Sequence, residues 1–123
     1  MKLVVFVVLA CSASLAYAES AAEMLSACKT LADVRVQGDT VQMPQDYESG
    51  LCWGAFSVIQ RIIYQPTAVG RGRLYGVCAP VESKRSQLIA IFVEYMRRNP
   101  KRLHEDSFTV AREALAESFP CPK

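Results

Sequence analysis

The segment VESKRSQLIAIFVEYMRRNPKRLHEDSFTVAREALAESFP, residues 81–120, holds two helical patterns separated by a turn, and its reading decides the fold. Leu88, Ile91, Phe92, Tyr95 and Met96 recur at spacings of three and four, the signature of one apolar helix face, and predict a helix over about Val81–Arg98. Asn99-Pro100 stops it, because proline lacks the amide donor that a helix interior needs. Phe108, Ala111, Leu115 and Phe119 then predict a second helix over about Glu105–Phe119, ended by Pro120. A connection of about six residues makes the pair an antiparallel hairpin.

Upstream, Tyr47, Leu51, Ala55, Val58, Ile59 and Ile62 keep the same spacing and predict a central helix from about Asp46 to Tyr64. Ser20 and Glu23 have capping-box spacing and open a helix over Ala21–Ala32, with Met24, Cys28 and Leu31 on one face and Leu25 and Ala32 widening it. Gly38, Asp39 and Pro44 mark residues 33–45 as loop. Pro66, Gly70, Gly72, Gly76 and Pro80 do the same for residues 65–80, the longest connection. The expected fold is all-α, a small four-helix bundle-like domain over residues 19–123, without internal repeats.

Residues 1–18 read differently: Lys2, an apolar run Leu3–Ala10, and small residues ending Ala16-Tyr17-Ala18. This is the pattern of a secretory signal peptide cleaved before Glu19, which sends the chain to the periplasm. Two alternatives stand beside it. Val8-Leu9-Ala10-Cys11 loosely resembles a lipobox that would place lipid on Cys11, and a retained anchor would need the roughly 20 apolar residues that span a bilayer.

Loss of the leader reduces five cysteines to four, Cys28, Cys52, Cys78 and Cys121, an even set suited to two disulfides in an oxidising compartment. The antiparallel hairpin brings the start of its first helix beside the end of its second, which pairs Cys78 with Cys121 and leaves Cys28 for Cys52. A zinc site would show close Cys pairs or clustered His, whereas these cysteines are far apart and His104 is the single histidine. No metal and no cofactor is expected.

A net charge of +2, with Lys and Arg interleaved among Asp and Glu, argues against nucleic-acid binding, and no stable membrane insertion is expected. Gly70, Gly72 and Gly76 miss the G-x-G-x-x-G dinucleotide spacing and follow a helix instead of a strand. Catalysis would need a nucleophile, a base and an orienting group within reach. His104 reads more simply as a helix cap or a carbonyl partner, and Asp46, Glu48, Glu105 and Asp106 as acids favoured near helix starts. The residues chosen for partner binding are Arg71, Arg73, Leu74 and Tyr75, because Tyr and Arg are enriched at binding hot spots and long connections are often functional. The basic cluster Arg97, Arg98, Lys101 and Arg102 is the second choice.

The C-terminal third carries a further pattern: Cys78-Ala79-Pro80, Gln87, Val93, Tyr95-Met96, Asn99-Pro100, His104, and Ala114-Leu115 ahead of Phe119-Pro120-Cys121. It resembles the Rap/Tai family of type VI secretion amidase immunity proteins, with its Cys-x-Pro before a helix, Tyr-Leu-x-x-His-Pro helix end, following His and terminal Ala-Leu-x-x-x-Phe-Pro-Cys. Here Met96 and Asn99 stand for the Leu and His. Cys52-Trp53-Gly54 resembles the family's helix-two motif, but Ala55, Phe56 and Val58 replace its Tyr, Ile and second Gly. The resemblance implies a helical homodimer in the periplasm that binds and blocks a peptidoglycan amidase effector and has no catalysis of its own. The alternatives are an acid-stress chaperone of the HdeA type and a lipid-carrying helical protein.

Overall fold

The computed structural model describes residues 19–33, 36–37, 40–67 and 70–123. Helix α1 spans Ala21–Cys28, α2 Tyr47–Ile63, α3 Arg85–Arg98 and α4 Ser107–Ser118. Ser20 starts α1 through a capping box: its hydroxyl accepts from the Glu23 amide at 3.3 Å, and the Glu23 carboxylate accepts from the Ser20 amide at 2.8 Å. That backbone donor, with the Ser20 hydroxyl, holds the Glu23 carboxyl below its ordinary pKa. The Ala21 and Ala22 amides donate to the carbonyls of Glu105 and Leu103, so the turn before α4 satisfies donors that a helix start leaves free. α1 ends four residues before Ala32, yet its stripe survives: Met24, Cys28 and Leu31 are buried, Leu31 in the turn that follows.

α2 faces the core with a different stripe from the one its spacing suggested. Ser49, Cys52, Phe56, Ile59 and Ile63 are buried, whereas Tyr47 is 80% and Val58 57% exposed. Apolar residues occur nearly all round this helix, so hydrophobicity alone leaves its rotation about the axis open. The Cys28–Cys52 disulfide chooses, because it turns Cys52 toward α1 and carries Phe56, one turn later, onto Phe92 of α3 with ring centroids 5.6 Å apart. Asp46 caps α2 by accepting from the Ser49 amide at 2.8 Å and the Ser49 hydroxyl at 3.0 Å, which satisfies the buried serine.

α3 begins at Arg85, later than the expected Val81, which is 64% exposed in the turn after Pro80. The turn is held from α2, where the Tyr64 hydroxyl donates to the Pro80 carbonyl at 2.8 Å and the Gln60 amide to the Ser83 carbonyl at 3.1 Å. Leu88, Phe92, Tyr95 and Met96 are buried as the spacing indicated, joined by Ile89 and Val93, while Ile91 is only partly buried. Pro100–Arg102 forms a short 3-10 turn into α4, which buries Val110, Ala111, Ala114 and Leu115. α1 packs against the other three helices, α2 against α3, and α3 against α4. All four helices thus enclose one core, and among the described residues no helix is long and apolar enough to cross a membrane.

Both connections read as loop contain short antiparallel ribbons. β1 (Val36–Gln37) pairs with β2 (Thr40–Val41), and β3 (Pro66–Thr67) with β4 (Gly70–Arg73). Proline and glycine break helix but do not prevent a strand pair this short. The disulfides join Cys28 to Cys52 and Cys78 to Cys121, the pairing the hairpin argument selects.

Candidate functional site

After β4 the chain enters a 3-10 turn, Leu74–Gly76, and then locks onto the C-terminal tail. Val77 is buried and bridges Pro120, the Cys78 amide donates to the Phe119 carbonyl at 2.8 Å, and Cys78 is bonded to Cys121. Of the four chosen contact residues, Arg71 and Arg73 lie on β4, with Arg73 opposite Pro66, Leu74 opens the turn and Tyr75 sits at its centre. The segment therefore has more structure than a free loop, and it is anchored at the end nearest Cys78.

Tyr75 has φ 65°, and among the described residues it is the one non-glycine with positive φ; Gly76 follows at 71°. A left-handed backbone costs an L-residue roughly 1–2 kcal/mol, a cost glycine escapes at Gly76 but tyrosine does not. Part of it is offset by Phe108 of α4, whose ring meets that of Tyr75 edge-on at 5.6 Å and 87°, a geometry worth about 0.5–1.5 kcal/mol. Strain of this kind persists where the surroundings over-determine it, and it concentrates at functional positions. The Tyr75 side chain is also 49% exposed, so the strained turn carries an aromatic ring that is fixed on one side and open to solvent on the other.

Spacing puts Phe108 on the core stripe of its helix; in the structure it is partly buried and shared between the core and Tyr75. No local signal marks this role, since the contact joins residues 33 positions apart, nor does the sequence reveal the positive φ.

Two of the four cations in the basic cluster, Arg98 and Arg102, are paired within the chain. Arg98 lies 3.8 Å from Glu94 and 3.3 Å from Glu117. Arg102 pairs with Glu105 at 2.6 Å and with Glu113, and donates to the Tyr95 hydroxyl at 2.6 Å. Hydrogen bonds to Glu105, then Glu113, raise the Arg102 guanidinium further above its ordinary pKa, while Arg102 holds the Glu105 carboxyl below its own. Arg97 and Lys101 remain exposed.

The depressed Glu105 value has a pH consequence. The ion pair stabilises the fold above the unfolded carboxylate's pKa, and that contribution is lost as pH falls through the lower, folded value. Melting temperatures followed from neutral pH down through the carboxylate range are expected to fall, and to fall less steeply in Glu105→Gln. Parallel curves for the two chains would contradict this.

His104 does not cap α4. Asp106 does, accepting from the Thr109 amide and hydroxyl at 2.8 Å each. His104 instead borders an open groove of about 800 Å3 with Glu19, Ser20, Glu23, Tyr47, Glu48 and Leu51 among its walls. Ser20 and Glu23 there are engaged in the capping box. Among the described residues, no group of three or more His, Cys, Asp and Glu is placed to hold a metal ion.

Four helices around one core, braced by two disulfides, make this a small disulfide-stapled all-α domain that carries an aromatic ring on an anchored turn. The family model described as Rap1a immunity proteins matches residues 20–121, and the chain belongs to that family. Membership makes it an immunity protein, whose role is to bind a toxin. No curated protein and no solved structure gives a match.

Proposed function

We propose that this chain is a periplasmic immunity protein that binds a secreted peptidoglycan amidase of the type VI secretion class and blocks it, acting as a homodimer after removal of residues 1–18. The observation that carries the reading is the match to immunity proteins over residues 20–121, the span that contains both disulfides and all four helices. Physical economy supports it: an inhibitor loses affinity for every side chain it must order on binding, and a pre-braced domain has little left to order.

The partner-binding surface is assigned to Arg71, Arg73, Leu74 and Tyr75. Tyrosine and arginine dominate hot spots because a large planar group fills a pocket with few rotatable bonds to freeze. The experiment is capture of purified peptidoglycan amidases by the immobilised mature chain, with hydrolysis of cell-wall fragments as the readout. One amidase is expected to be retained and inhibited, and Arg73→Ala with Tyr75→Ala is expected to weaken its binding by at least about 2 kcal/mol, while the melting temperature falls only by the few degrees that the lost Tyr75–Phe108 ring contact accounts for. Retention of none rejects the amidase reading. Unaltered affinity in the double variant moves the surface elsewhere. Mass analysis of exported protein is expected to place the N-terminus at Glu19, and a retained leader rejects the processing step.

A further inference from the structure

We infer that Phe108 is a positioning residue of the partner-binding face: its ring holds Tyr75 in the orientation that the toxin recognises, without meeting the toxin itself. This rests on the immunity reading above and extends it to a residue on a different element. Tyr75 belongs to a turn whose backbone is left-handed at two successive residues, and its half-exposed ring has Phe108 as its aromatic partner. The chain after the turn is anchored, with Val77 buried and Cys78 disulfide-bonded, but those anchors hold the backbone and leave the ring's direction to its neighbours.

Phe108 is a suitable platform. It lies in the first turn of α4, where the Asp106 cap and the bond from the Ser107 amide to the Glu19 carbonyl fix the helix start. A ring projecting from a rigid helix end can hold one projecting from a strained turn, whereas the reverse would give neither a fixed position. The matching partner chemistry is a ring-sized apolar pocket with a polar group to receive the phenol hydroxyl. A tyrosine free to swing would have to be ordered at each binding event, and affinity would fall accordingly.

The test uses the mature chain and the amidase retained in the capture experiment, with single variants Phe108→Leu, Phe108→Tyr and Tyr75→Ala and the double variant Phe108→Leu with Tyr75→Ala. Phe108→Leu is expected to weaken binding roughly two- to tenfold, with a fall of a few degrees in melting temperature from the lost ring contact and the chain still fully folded at the assay temperature, and Phe108→Tyr to retain binding. In the Tyr75→Ala background Phe108→Leu is expected to have no further effect, the mark of action through Tyr75. In the free chain, Phe108→Leu is expected to move the Tyr75 ring-proton resonances toward their solvent-exposed positions. Three results overturn the inference while leaving the binding face standing: affinity indifferent to Phe108→Leu, an equal loss in both backgrounds, or unmoved Tyr75 resonances. Affinity indifferent to Tyr75→Ala, or capture of no amidase, instead removes the reading on which it rests.

Discussion

Reduction of both disulfides is expected to remove about 7 kcal/mol of stability, enough to leave the chain largely unfolded or loosely packed at 37 °C. The bridges span sequence separations of 24 and 43 residues. Closing loops of that size in the unfolded chain restricts its freedom by about 3.5 and 4 kcal/mol respectively, and a whole domain is held by only about 5–15 kcal/mol. The two bonds are unequal in another respect. Cys28 and Cys52 are fully buried between α1 and α2, whereas Cys78 and Cys121 are half-buried where the Tyr75 turn meets the C-terminal tail. Replacing Cys28 and Cys52 by alanine therefore disturbs the core as well as the unfolded chain, and should cost at least as much as the loss of the longer bridge. Thermal melts followed by circular dichroism, with and without dithiothreitol, check the first statement, and the two double variants check the second. A reduced chain that melts at the oxidised temperature would show that the helices alone suffice.

Phe56→Ala is expected to destabilise by about 3–5 kcal/mol, while Val58→Ala two positions later changes stability by less than about 0.5 kcal/mol. Phe56 is fully buried against Phe92, and its truncation leaves a cavity between α2 and α3 that those helices cannot close without moving. Val58 is more than half exposed and loses little on truncation. Urea denaturation of the two variants measures both effects. Spacing alone would reverse their order, since it placed Val58 on the core face, so a severe Val58→Ala would mean that α2 is rotated away from the arrangement described above.

The candidate site was legible in one part and hidden in another. Tyr75 could be chosen from residue type and from its place in a long connection, because the chemistry that makes tyrosine useful at an interface belongs to the side chain itself. Its left-handed backbone, and the Phe108 ring that meets it, could not be read, because both depend on where α4 lies relative to the turn. Arg98 and Arg102 illustrate the same limit from the other side: as a run of cations they suggest a surface for an acidic partner, but Glu94, Glu105, Glu113 and Glu117 already face them.

The four helices and their order are legible in the residues alone, and the hairpin they form favours Cys78 with Cys121. These follow from short-range causes: apolar spacing, the Ser20 capping box, acids near the helix starts at Asp46 and Asp106, the stop at Asn99-Pro100, and a hairpin connection too short for any arrangement but antiparallel. Assembly of the helices set which face of α2 turns inward, how the connections pair as ribbons, and which cations meet carboxylates. A helix apolar on most sides has several rotations of similar burial, and a short ribbon or a surface ion pair is worth too little to choose among them alone. The choice came from contacts made across the core, above all the bond between Cys28 and Cys52, and these exist only when α1, α2 and α3 are assembled together.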